Sequence, residues 1–253
     1  MREVNMIEVN MIQIYLLAVG ELRCRMEKMA STKGKLDYAA LPGWDKLDDW
    51  QQEKISRCAW PGTAALCMGG QLLLQYGAYE WSSRATSSFG GTDTESTIAE
   101  NTVSWRNIDF SRLIEGIPAP QSLTVAYESK GKPYIFHMPW HYNLSHSRDY
   151  VALAISDAPV GIDIQEKRPY TDSLVKRFFS EAEAAAYEGL FPATDRETLF
   201  YTFWCRKEAY GKLLGTGLTE DVLKRNMLKD VSVHLYEYGE LPGYCICVCS
   251  GEG

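Results

Sequence analysis

Two short segments, Val160-Gly161-Ile162-Asp163 and Phe203-Trp204-Cys205-Arg206-Lys207-Glu208-Ala209-Tyr210-Gly211-Lys212, constrain this chain more than anything else in it. The first is a short apolar run ending on a carboxylate, the pattern of a buried strand. The second reads as a helix. Residues four apart on a helix share a face, so Glu208 and Lys212 stand together. A strand-borne Asp163 facing a helix-borne Glu208, with Lys212 one turn on, can hold a hard cation and a phosphate at one place. Mg²⁺ suits it, taking one or two carboxylates and completing its shell with water and substrate phosphate.

The rest of the chain bounds the setting. With 253 residues it can form one large domain or two small ones. Its 45% hydrophobic and 23% charged residues fit a globular protein and exclude global disorder. A net charge of −7 lacks the basic footprint of a nucleic-acid binder. An acidic partner would need a local basic patch, for which Lys167-Arg168, Lys176-Arg177 and Arg206-Lys207 are the candidates. Cys245, Cys247 and Cys249 alternate at period two and are expected on one buried strand face, reduced, as in a cytoplasmic protein. Glu3 and Glu8 interrupt the start, and the apolar run from Ile12 to Leu17 is too short for a membrane span.

Periodicity and punctuation predict the elements. A first strand runs from about Met11 to Val19, and a polar stretch leads to a helix from Leu47 to Arg57. An apolar helix follows from Thr63 to Gln75, ending near Gly77. Residues 82–102, rich in Ser, Thr and Gly, read as a mobile surface loop. Strands are expected at 123–127 and 134–136, with a turn at Lys130-Gly131-Lys132-Pro133 between them. Tyr150 to Ile155 reads as a strand that Asp157-Ala158-Pro159 reverses into Val160–Ile164, as a hairpin. Ser180 and Glu183 make a capping box for an Ala-rich helix. Asp195 is placed to cap a helix from Arg196 to Leu214, which Gly215 and Gly217 stop. Two strands, near 231–236 and 244–248, finish an α+β chain.

The paired segments resemble the bipartite signature of the 4'-phosphopantetheinyl transferases: Val/Ile-Gly-Ile/Val-Asp, about forty residues, then Trp/Phe-Ser/Cys/Thr-x-Lys-Glu-Ala/Ser-x-x-Lys. Trp204, Cys205, Lys207, Glu208, Ala209 and Lys212 occupy the second half of it. Chain length places the resemblance in the long, monomeric, surfactin-synthetase-activating branch. That branch implies two similar α/β halves related by a pseudo-twofold, with the active site between them. Here the halves would be 11–157, with the coenzyme A nucleotide contacts, and 158–253, with the signature and the Mg²⁺ site.

The resemblance also implies roles. Asp163 and Glu208 would bind Mg²⁺, bridging it to the pyrophosphate of coenzyme A. The family often has a third carboxylate two residues after the aspartate; this chain has Gln165, expected to line the site, while Glu166 points to the other strand face. Glu208 would take the proton of a carrier-protein serine. Lys212 would neutralise the pyrophosphate and protonate the departing 3',5'-ADP, and Lys207 would contact phosphate. Tyr142-Asn143-Leu144-Ser145-His146-Ser147 resembles the family's Phe-Asn-x-Ser-His-Ser, which puts Ser145 and His146 on coenzyme A. Lys132 and Pro133 match its Gly-Lys-Pro segment. Lys54 and Arg57 align with residues that hold the 3'-phosphate, although an expected arginine is Ala65. The partner would be an apo acyl or peptidyl carrier protein meeting Lys176 or Arg177, and Phe178 and Phe179 are expected in the core. A non-catalytic module that binds coenzyme A or a carrier protein is the alternative, as is a phosphoester hydrolase using the same metal.

Overall fold

The computed structural model describes residues 11–33, 36–87, 103–190, 193–228 and 232–251. Along the chain run β1 (Ile12–Ala18), α1 (Gly20–Lys33), α2 (Asp49–Ser56), α3 (Pro61–Ser87), β2 (Val103–Ile108), α4 (Phe110–Glu115), β3 (Val125–Tyr127) and β4 (Pro133–Ile135). There follow β5 (His141–Ser147), β6 (Tyr150–Ser156), β7 (Val160–Glu166), α5 (Asp172–Phe178), α6 (Glu181–Glu188), α7 (Ala193–Leu214), α8 (Glu220–Lys224), β8 (Val233–Tyr238) and β9 (Tyr244–Gly251).

Two sheets carry the molecule, in the orders β2-β1-β6-β5 and β7-β9-β8. In the first, β1 is parallel to β2 and antiparallel to β6; the second is antiparallel throughout. β1 is buried on both faces because it lies between two cores. Ile12, Ile14 and Leu16 meet Ile162, Ile164, Ile246 and Val248 of the second sheet. Tyr15 and Leu17 face the other way, into a cluster with Met68 and Leu72 of α3. The sheets therefore stack back to back. α3 covers the first sheet, with α1 packed against α3, while α7 covers the second, where Cys205 and Ala209 pack on Cys247 and Cys249.

The capping box at Ser180 and Glu183 forms as read, and Asp48 with Gln51 makes a second one that opens α2. Four expectations are corrected. The polar stretch after β1 contains the helix α1. α3 runs through Gly77 to Ser87 because Gly77 is a packing site: a Cβ there would lie 2.7 Å from Ile155 Cδ1 and 2.8 Å from Leu153 Cδ2. Residues 82–87 are thus helical, and the remainder of the expected loop, 88–102, lies outside the described residues. α7 begins at Ala193, so Asp195 stands inside its first turn rather than before it.

The fourth correction matters most for the site. Asp157-Ala158-Pro159 makes no hairpin, because β6 pairs with β1 and β5 whereas β7 crosses to β9. β7 still lies beside β5, through side chains. Asn143 Oδ1, Ser145 Oγ and Ser147 Oγ accept from the amides of Ile162, Ile164 and Glu166 at 3.0, 3.2 and 2.9 Å. The constant offset means that the two strands run in the same direction. Alternate amides of an edge strand point away from its ladder and need partners, and polar side chains at period two supply them.

Candidate active site

Gly161 lets α7 lie directly on β7. A Cβ at this position would come within 2.1 Å of Ala209 O and 2.5 Å of Leu213 N, so only glycine permits the approach. Strand alternation then does the placing: Ile162 and Ile164 face the first sheet, and Asp163 faces α7.

Asp163 is 5% exposed. Its Oδ1 accepts from Lys212 Nζ at 2.8 Å and from Ser145 Oγ at 3.0 Å. Lys212 also donates to Ser145 Oγ at 2.7 Å and Ile162 O at 3.0 Å. The Ser145 hydroxyl thus gives one hydrogen bond and receives two, which is its full capacity. Among the described residues the other carboxylate oxygen, Asp163 Oδ2, is buried without a hydrogen-bond partner. One turn before Lys212, burial holds the Glu208 carboxyl above its ordinary range; Asp163 raises it further and Lys212 opposes.

A bare buried carboxylate oxygen beside a second carboxylate that is reluctant to ionise is a donor set that fits a hard divalent cation. Among the described residues no cluster of three His, Cys, Asp or Glu side chains forms, consistent with Gln165 standing where a third carboxylate would. Gln165 is half-buried and its Nε2 donates to Glu166 O at 3.3 Å. Glu166 is turned to the other side as expected, held by Arg148 at 2.8 Å and by Arg168.

A cavity of about 260 Å³ opens from this network. Lys212 forms part of its wall with Tyr142, Asn143 and Leu144 of β5, Pro133, and Trp50 and Lys54 of α2. The Lys54 ammonium lies 5.0 Å over the Trp50 ring. A larger hollow of about 600 Å³, between residues 47–50 and 120–125, shares Trp50 and Val125 with it. Lys212, Lys54 and Pro133 therefore line one opening, which the Asp163 carboxylate adjoins through Lys212, and exposed His146 continues the β5 face that carries Tyr142 and Leu144.

Other expected residues are placed differently. Ser145 is spent on the Asp163–Lys212 network and on β7. Lys132 is buried, donating to Val160 O at 3.1 Å and Leu213 O at 2.8 Å, where it satisfies a carbonyl at the end of α7. Arg57 is exposed and pairs with Glu53 at 2.5 Å on the outer side of α2. Lys207 is 1% exposed and makes a buried ion pair with Glu183 Oε2 at 2.8 Å. Its remaining protons go to Leu223 O and Arg225 O at 2.7 and 2.6 Å, while Glu183 Oε1 accepts from Met227 N at 2.8 Å. Arg206 bonds Glu237 and Met227 O, so Arg206-Lys207 forms no free basic patch. Trp50 and Tyr127 line the cavity without having been singled out. Their signal was weak: an aromatic on the outer turn of a short helix, and another in a three-residue strand.

Residues 159–249 match the 4'-phosphopantetheinyl transferase superfamily. Over that segment the resemblance is borne out. The 4'-phosphopantetheinyl transferase psf-1 of Bacillus pumilus is 45% identical over 95 residues, covering 36% of this chain and 40% of the relative. The transferase Sfp of Bacillus subtilis (strain 168) is 33% identical over 143 residues, or 48% of this chain and 60% of the relative. AcpT of Escherichia coli (strain K12), also named a 4'-phosphopantetheinyl transferase, is 38% identical over 102 residues, 39% of this chain and 50% of the relative. The chain thus spans about half the length of the curated relatives it matches. The matched segment holds Asp163, Glu208 and Lys212 together.

Proposed function

We propose that this chain transfers 4'-phosphopantetheine from coenzyme A to a serine of an apo acyl or peptidyl carrier protein, releasing 3',5'-ADP, with Mg²⁺ as its metal. The observation that carries this reading is Asp163, with one oxygen saturated by Lys212 and Ser145 and the other buried and bare beside Glu208. Asp163 and Glu208 would hold Mg²⁺, with Gln165 offering an amide oxygen or holding a metal-bound water. Bound there, the ion would stabilise charge developing on the pyrophosphate as its bond breaks.

The chain's own groups do the rest. Glu208 receives the serine proton, directly or through water. Lys212 puts a positive charge in the cavity wall, balancing the pyrophosphate and the leaving 3',5'-ADP, while it keeps Asp163 and Ser145 in register. Lys54 and Trp50 flank the opening and suit the nucleotide end of coenzyme A, by charge and by stacking surface. Lys176 and Arg177, exposed at the end of α5, suit the acidic helix of a carrier.

Chromatography of the reaction tests this. With Mg²⁺, coenzyme A and a panel of apo carriers, 3',5'-ADP is expected only when a carrier is present. Release without a carrier would make the site a hydrolase. Coenzyme A binding with no release on any carrier would make it a binding module.

A further inference from the structure

Ser145 sits where the seam between the two sheets meets the carboxylate network. Its neighbours on the same face of β5, Asn143 and Ser147, each accept from an amide of β7, at 3.0 and 2.9 Å. Ser145 Oγ does so for Ile164 N at 3.2 Å, but it also accepts from Lys212 Nζ at 2.7 Å and donates to Asp163 Oδ1 at 3.0 Å. A hydroxyl has one proton and two lone pairs. Lys212 and Ile164 occupy the lone pairs, so the proton is turned to Asp163. A phosphate oxygen would have to take that proton from Asp163, and Ser145 is only 5% exposed.

Asp163 Oδ1 thus holds two donors, Lys212 at 2.8 Å and Ser145, while Oδ2 holds none among the described residues. An ammonium alone can slide between the two oxygens of a carboxylate. A second, fixed donor on one oxygen sets the plane of the group and keeps the other oxygen clear of the ammonium. We propose that Ser145 is a positioning residue: it pins Oδ1 so that Oδ2 stays presented to a divalent cation shared with Glu208. This role rests on Asp163 and Glu208 being the Mg²⁺ ligands, and it takes the place of the coenzyme A contact that the resemblance implies for Ser145. Hydrogen bonds that orient a metal ligand from behind typically change metal affinity by about 10–100-fold.

The probe is Mn²⁺ added to the full chain without coenzyme A, followed by loss of its free-ion EPR signal. Ser145→Ala is expected to weaken Mn²⁺ binding about tenfold, and Ser145→Thr, which keeps the hydroxyl, to restore it. Ser145→Cys, nearly isosteric but a weak donor, is expected to fall between them and serves where the alanine variant fails to fold. Ser147→Ala is the fold control, since it removes a seam bond of the same kind at the Glu166 amide. Both alanine variants should melt earlier, but only Ser145→Ala should lose the ion. In turnover, Ser145→Ala should raise the Mg²⁺ concentration needed for half-maximal 3',5'-ADP release, with KM for coenzyme A unchanged at saturating Mg²⁺. A raised KM with unchanged Mn²⁺ affinity would return Ser145 to the phosphate and overturn the proposal. Equal loss of Mn²⁺ in Ser145→Ala and Ser147→Ala would overturn it too, reducing Ser145 to a structural bond. If wild type binds Mn²⁺ and Ser145→Ala binds it as tightly, only the role of Ser145 falls. If wild type holds no Mn²⁺, the reading of Asp163 and Glu208 as metal ligands falls with it.

Discussion

Around Asp163 each polar atom has a fixed number of hydrogen bonds to make, and the count fails at one atom. Ser145 uses its whole capacity and Lys212 uses all three protons, yet Asp163 Oδ2 is buried and bare. A buried unpaired carboxylate oxygen is costly, so its retention points to a ligand. Glu208 adds a test by pH. Its folded carboxyl titrates above the ordinary 4.5, chiefly through burial. Its stabilising contribution is therefore complete below that value and is lost as pH rises through the folded one. In metal-free protein at neutral pH, Glu208→Gln is expected to raise the melting temperature; a fall would mean that the carboxylate is already paired. The helical period put Glu208 and Lys212 on one face, and their pairing with Asp163 was legible through the resemblance to the bipartite signature. The commitment of Ser145 was not, since a hydroxyl that caps β7 and one that meets phosphate look alike in sequence.

α7 is positioned by two devices of different kinds. Gly161 sets its distance from β7, and Gly161→Ala would drive a methyl into the Ala209 carbonyl. A loss of about 3 kcal/mol is expected by chemical denaturation, the upper end for overpacking, together with loss of the proposed transferase activity in whatever folds. The Lys207–Glu183 pair then fastens α7 to α6 and to the chain after α8. Lys207→Met leaves Glu183 buried and unpaired, and a loss of about 3–5 kcal/mol is expected. Coenzyme A affinity of the folded variant should change less than about twofold by calorimetry, a shift within roughly 0.4 kcal/mol. A large loss of affinity at unchanged stability would return Lys207 to the phosphate. The sequence located Lys207 on α7 but could not say what faced it, because α6 and the end of α8 come from either side of that helix in the chain. Gly77 was misread for a similar reason: a glycine near a plausible helix end looks like a stop until the sheet beneath it is seen.

The back-to-back sheets meet along β5 and β7, and that seam makes the site a property of the whole molecule. β5 supplies Ser145 from one sheet, β7 supplies Asp163 from the other, and α7 brings Glu208 and Lys212 over both. The α+β class could be read from element order, whereas the crossing at Asp157 could not, because Asp-Ala-Pro is a good local turn whichever strand follows. Strand partnership is decided by long-range pairing, and Asn143, Ser145 and Ser147 show their purpose only once β7 lies alongside. Asn143→Ala strands the Ile162 amide and is expected to lower stability by about 1–3 kcal/mol. It should also lower the melting temperature within one cooperative transition by roughly 2–4 °C per kcal/mol; two separate transitions would show that the seam does not couple the sheets. The most direct measurement of the central claim is the intact mass of an apo carrier protein after incubation with coenzyme A, Mg²⁺ and either wild type or Asp163→Asn. The account predicts one added phosphopantetheine with wild type and a rate about a hundredfold or more lower with the variant. Equal rates from the two would contradict it.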